Sequence, residues 1–329
     1  MVFFASRATR TVSLLLAFIA YQPSASAGTK YSVVQSIAAP TNAVQLAYSP
    51  AYNRLILKNS SSAVAVIDLA TAKSSTHFAI TNFTDMSLSP DQRYLFVADY
   101  GGENIGYGTP AGQHYVHRLD LKSGTWDIES TYMAGNIQAE SGKKVLLKSR
   151  DQWVTFYNAK WTGEDAMQQI NSGNGSFTGY YPGVYYGDFR YDANTGRLIH
   201  GGSGSSSAEI HAFKIVDDEF VAQEQTGIYG SADGYGGTVA LATDGSAFYY
   251  GQLCVDALDV THTLRVFPEM IYAATGSVAF GNGNYYHAQK GKLLGSLGFS
   301  TTVYGLNPAG DDFWAYDAKK NLLRHFVPK

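Results

Sequence analysis

LSPDQRYLFVAD, residues 88–99, and YSPAYNRLIL, residues 48–57, are two copies of one unit. In each, a Ser-Pro turn leads through Arg93 or Arg54 into a short apolar run, and a later run ends in Asp: YVHRLD at 115–120 and VAVID at 64–68. Pro presets the backbone of such a turn, and Ser and Asp side chains bond back to it. Looser copies follow. Turn signals recur at Glu140 to Gly142, Asp192 to Gly196, Thr243 to Gly245, Gly281 to Gly283 and Asn307 to Gly310. Runs matching a third strand recur at Trp153 to Asn158, Glu209 to Ile215, Val255 to Asp259 and Phe313 to Asp317.

Helical periodicity is nearly absent, so the chain is expected to be all-β. Four-stranded units that recur at this spacing cannot bury their faces alone and stack as the blades of a β-propeller. Seven turns predict seven blades. The short interval from Gly281 to Asn307 leaves a six-bladed ring with an insertion at 290–312 as the alternative. Residues 31–37 form a lone first strand, and 322–327 a last strand without an outer partner. Pairing them would close the ring and remove two open sheet edges. Residues 88–99 resemble the repeat of YVTN-type β-propellers. That superfamily includes exported bacterial propellers, lactonase-like enzymes and propeller subunits of amine dehydrogenases. The resemblance implies a fold and leaves the chemistry to the loops.

Arg7 and Arg10 precede the apolar run 12–20, and Ala25-Ser26-Ala27 supplies small residues for cleavage. Residues 1–27 therefore read as a signal peptide cut after Ala27, which leaves 28–329 as one secreted or periplasmic domain. No later run is apolar enough to span a membrane. With 24 Lys+Arg against 27 Asp+Glu and no basic block, nucleic acid is not an expected partner. Cys254 is the single cysteine and sits in an apolar run, as a structural thiol does. Asn59, Asn82 and Asn174 each begin a glycosylation sequon.

In a propeller, connections from second to third strand and from fourth strand to the next first strand leave on one face. Three Gly/Tyr-rich segments fall there: 100–114 (YGGENIGYGTPAGQH), 173–187 (GNGSFTGYYPGVYYG) and 228–237 (IYGSADGYGG). Tyr gives a large apolar plate with a polar tip, and Gly allows close approach. Tyr100, Tyr107, Tyr180, Tyr181, Tyr185, Tyr186, Tyr229 and Tyr235 are the expected contact plates, with Glu103, Asp188 and Asp233 as hydrogen-bonding groups. A carbohydrate, an aromatic small molecule or a protein partner suits such a face.

If the chain is instead a lactonase-like hydrolase or a polysaccharide lyase, His117, His200 or His287 would be the acid/base, and Arg150 or Lys148 the anion-stabilising cation. A third reading is a subunit that docks a cofactor-bearing enzyme. Ends of second strands at Lys58, Asp99, Lys148, His200, Gln252 and His287 are expected at one height on that same face. Asp85 and Asp188 begin first strands and are placed to line the channel. His114 and His117 are three apart, so on a strand they point to opposite faces and do not share an ion. No motif for a phosphate, dinucleotide or haem cofactor occurs, and no spacing supports a divalent metal.

Overall fold

A computed structural model describes residues 30–40, 42–59, 63–80, 83–100, 114–131, 136–142, 144–148, 157–160, 168–169, 187–202, 207–216, 219–231, 238–310 and 312–329. The expected signal peptide lies outside them. The described strands form seven four-stranded antiparallel sheets. From the innermost strand outward, the first sheet is Ala43–Ser49, Arg54–Asn59, Ala63–Asp68 and Lys73–Ala79, and the second is Phe83–Leu88, Tyr94–Asp99, His114–Asp120 and Trp126–Thr131. The third is Asn136–Ala139, Lys144–Lys148, Tyr157–Lys160 and Gln168–Gln169, and the fourth is Asp188–Asp192, Arg197–Gly202, Ser207–Val216 and Glu219–Ser231. The fifth is Val239–Leu241, Ala247–Tyr250, Leu253–Asp256 and Thr263–Val266, and the sixth is Ala273–Ala274, Val278–Phe280, Asn284–His287 and Leu293–Ser296. The last is Tyr304–Leu306, Phe313–Asp317, Leu322–Pro328 and, outermost, Tyr31–Ala38.

Each innermost strand contacts the next, and that of the last sheet contacts that of the first, so the sheets close into a ring. Seven apolar clusters fill the spaces between consecutive sheets. Both faces of a sheet are therefore buried, which is why second strands read as unbroken apolar runs. Leu55 and Leu57 face the last sheet, whereas Ile56 between them faces the second. Closure follows the expected pairing. Tyr31 opposes Pro328 and Ala38 opposes Leu322 in an antiparallel ladder. Tyr31 packs edge-on to Phe313 at 4.9 Å and to Tyr285 at 5.3 Å, which ties the seam to the sixth sheet.

The repeated motif has a physical basis. Pro50 starts a single 3-10 turn that ends at Asn53 with φ 54°. Ser89 Oγ accepts Tyr94 N at 2.9 Å, and Gln92 takes the left-handed position with φ 61°. The Arg that follows each turn reaches the Asp that ends the third strand: Arg54 pairs with Asp68, and Arg93 with Asp120 at 2.6 Å. Turn and terminal Asp are thus two halves of one contact.

The later units depart from expectation in three places. Gly281 to Gly283 joins the second strand of the sixth sheet to its third, not the first to its second. The first-to-second turn there is Thr275 to Ser277, where Thr275 Oγ1 accepts Val278 N at 3.0 Å. Phe313–Asp317 is a second strand rather than a third. The interval 290–312 holds the fourth strand of the sixth sheet and the innermost strand of the last. Among the described residues no helix is long and apolar enough to cross a membrane.

Candidate functional site

The ring leaves one edge of every innermost strand facing the channel, without a ladder partner. In the first four sheets the third residue of that strand is polar: Gln45, Asp85, Gln138 and Arg190. These strands begin on the face to which fourth strands connect, here called the upper face, and each of the four lies two residues in from that start.

Their side chains do the work of the missing strand. Gln45 Nε2 donates to Asp85 Oδ1 at 2.9 Å and to Met86 O at 3.2 Å. Asp85 Oδ1 also accepts Met86 N at 2.9 Å, and its Oδ2 accepts Ile137 N at 3.1 Å. Ser87 Oγ accepts Ala139 N at 3.0 Å. Three consecutive sheets are stitched together at the channel wall, and backbone N–H groups are satisfied that burial would otherwise make costly.

Asp188 and Arg190 continue this wall in the fourth sheet. Gly187, at φ +78°, precedes them; a Cβ there would lie 1.8 Å from Gly201 O, so the entry to the strand requires glycine. Arg190 Nη1 donates to Asp188 Oδ2 at 2.8 Å and to Phe189 O at 2.7 Å, and Asp188 Oδ1 accepts Phe189 N at 2.8 Å. Their side chains keep 27% and 29% of their surface open, enough for a solute to reach both. Burial pushes the Asp85 carboxyl up to about 6, the Asp188 charge pushes the same way, and Arg190 opposes both. Burial works against the Arg190 charge, but the Asp188 and Asp85 carboxylates together more than offset it. The expectation that Asp85 and Asp188 line the channel agrees with this grouping. Arg190 and Gln45 were not legible singly; their shared third position in the innermost strand is the signal that finds them.

The other site residues are dispersed. His117, in the second sheet, is buried with its Nε2 3.3 Å from Asp99 Oδ2 and its ring 5.2 Å from Trp126. His114 points the other way and packs on Tyr100 at 4.7 Å; burial lowers its pKa and the Asp99 charge opposes that. Tyr100 is itself buried. His200 lies fully buried in the fourth sheet, its ring 6.2 Å from His211. His211 bridges Glu209 Oε2 and Thr226 Oγ1, each at 3.2 Å.

His287 requires a correction. It ends a third strand, on the lower face, because the Gly281 to Gly283 turn falls one strand later than expected. Burial lowers its pKa, helped by Lys290 and Arg265. Gln252 lies in a turn, beyond the end of its second strand. Lys58 Nζ donates to Phe83 O at 3.1 Å and Thr84 O at 3.0 Å and sits 4.3 Å over the Phe83 ring. Tyr229 is half-buried, and its hydroxyl donates to Val260 O in the turn between the third and fourth strands of the fifth sheet. Glu103, Tyr107, Arg150, Tyr180, Tyr181, Tyr185, Tyr186, Asp233 and Tyr235 lie outside the described residues, as does the side chain of Lys148. Among the described residues no three His, Cys, Asp or Glu side chains are grouped to hold a metal ion.

The arrangement of sheets is similar to the crystal structure of the Myceliophteria thermophila Cps50 (Swd1) β-propeller domain, with a TM-score of 0.64. The match covers 91% of this chain and 99% of that one at 13% identity. The fold is a β-propeller. No protein-family pattern matches the propeller's sequence, and no curated protein does. At that identity the likeness carries architecture alone, so any activity of this propeller has to be argued from its own residues.

Proposed function

We propose that this chain is an exported β-propeller that binds a ligand or a protein partner on its upper face. Each sheet is read as a blade, which gives a seven-bladed ring of the YVTN type. One observation carries the reading: the strand ends that flank all three Gly/Tyr segments, at Asp99 and His114, at Asp188, and at Ser231 and Val239, belong to the face on which Gln45, Asp85 and Arg190 stand. Long loops on a rigid ring are where propellers place recognition. The residues before Gly28 support export.

Tyr plates beside polar groups suit a carbohydrate or an aromatic small molecule. The enzyme reading gains no support from the histidines, which stand in three different sheets. The test is a thermal-shift panel on residues 28–329 with uronic and neutral oligosaccharides and aromatic amines, alongside a pull-down from the source organism's extract. A ligand at 100 times its Kd stabilises by about 2.7 kcal/mol. A bound ligand or partner should be lost from the double variant Tyr180→Ala with Tyr185→Ala. Binding that survives this variant, or the absence of any ligand and any partner, rejects the reading.

A further inference from the structure

The polar group at the channel mouth is not fully spent on holding the ring together. Arg190 commits only Nη1, to Asp188 Oδ2 and Phe189 O; its Nε and Nη2 donate to no described residue. Gln45 uses its amide NH2 on Asp85 and Met86, and Gln138 uses its own on Ile137 O at 2.9 Å. The Oε1 atoms of both Gln are left as acceptors among the described residues. A guanidinium edge with two parallel N–H groups therefore stands beside the Asp188 carboxylate and within electrostatic reach of Asp85.

We propose that the channel mouth binds a small zwitterion, with its carboxylate on the outer edge of Arg190 and its ammonium group against Asp188. The guanidinium edge matches a carboxylate in a bidentate way that a point charge does not. A simple anion placed there would face Asp85 and Asp188, and a simple cation would face Arg190. Only a ligand with both charges meets each with its opposite. The two carboxylates share one guanidinium, so an added ammonium also relieves the repulsion that helps hold Asp85 up to about 6. This inference deepens the upper-face reading by naming a ligand class for its floor.

The test is isothermal titration calorimetry of residues 28–329 at pH 7.5 and low salt. The probes are alanine, β-alanine and 4-aminobutyrate, which separate the two charges by increasing distances, with propionate and propylamine as single-charge controls. At least one zwitterion should bind tenfold more tightly than either control. Arg190→Lys, its fold checked by circular dichroism, should weaken that binding at least tenfold, and Asp188→Asn gives a second test if the first variant does not fold. Equal binding of propionate or propylamine, no binding by any probe, or binding unchanged in the folded variants overturns the inference. The Tyr180→Ala, Tyr185→Ala variant separates the two claims. A partner lost there while no zwitterion binds the parent chain leaves the face reading standing and removes this one.

Discussion

The Arg93 guanidinium holds the Asp120 carboxylate at 2.6 Å, at the shared end of a strand pair where Tyr94 opposes Asp120, although the two residues lie 27 apart in sequence. Asp120 also accepts Lys122 N at 2.8 Å, so one side chain fixes both the second-to-third strand pairing and the turn that follows.

That contact gives the fold an acid limit. The Arg93 hydrogen bond, together with the turn N–H groups, holds the Asp120 carboxyl down at about 2, against an ordinary 3.8. Its stabilisation is complete above pH 4 and is lost as the pH falls through 2. Arg93 is 38% exposed, so solvent screening reduces the effect to about 1–2 kcal/mol. Urea titrations of wild type and Asp120→Asn should differ by that amount at pH 6 and converge near pH 2. A difference that persists at pH 2 would assign the effect to packing.

Asp85 acts in the opposite direction. Its folded-state pKa of about 6 lies above the ordinary 3.8, so its contribution is complete below pH 4 and declines as the pH rises through 6. The decline is worth about 3 kcal/mol as an upper figure. Asp85→Asn does not titrate, and it loses the acceptor for one of Gln45 Nε2, Met86 N or Ile137 N. The substitution should therefore cost more stability at pH 4 than at pH 7, as measured by urea titration at both. An equal cost at the two pH values would place the Asp85 pKa near its ordinary value.

The seam offers a packing test. Tyr31→Ala removes the ring that touches Phe313 and Tyr285 and should destabilise by about 2 kcal/mol. Deleting 28–38 should do more, since it bares the strand Leu322–Pro328 as an open edge. Size-exclusion chromatography should then show self-association; a monomeric, fully stable deletion would mean that the seam contributes little.

Asn59 begins a sequon but is 5% exposed, and its Oδ1 accepts Ala63 N at 3.1 Å. A glycan on that nitrogen would have to displace packed residues. When the chain is expressed through a eukaryotic secretory pathway, peptide mass spectrometry should find Asn59 unmodified. Stoichiometric glycan at Asn59 would show that modification precedes folding.

How far the sequence could be read depended on how local the cause was. In the first two sheets Pro50, Pro90, Arg54 and Arg93 act within one hairpin, and the motif is plain. The pairing of 31–38 with 322–328 was also legible, because an unpaired strand at each end has one economical solution. The sixth sheet was misread since Gly281 and Gly283 announce a turn without saying which strands it joins. Its innermost strand, Ala273–Ala274, is too short to show alternation. At the channel, Asp85 and Asp188 stood out as charged residues at strand starts. Gln45 and Arg190 look like ordinary surface residues until the ring brings four innermost strands side by side.

The ladder between Tyr31–Ala38 and Leu322–Pro328 also sets an order of events. A chain emerging from a ribosome or a translocation pore presents Tyr31–Ala38 long before its partner Leu322–Pro328. Until then the first strand has no ladder of its own, and closing so long a loop adds an entropy cost that grows with the logarithm of its length. The last sheet therefore cannot form until residues 304–328 have emerged. Removing Leu322–Pro328 would cost more than one strand, because the ring would be left without its lock.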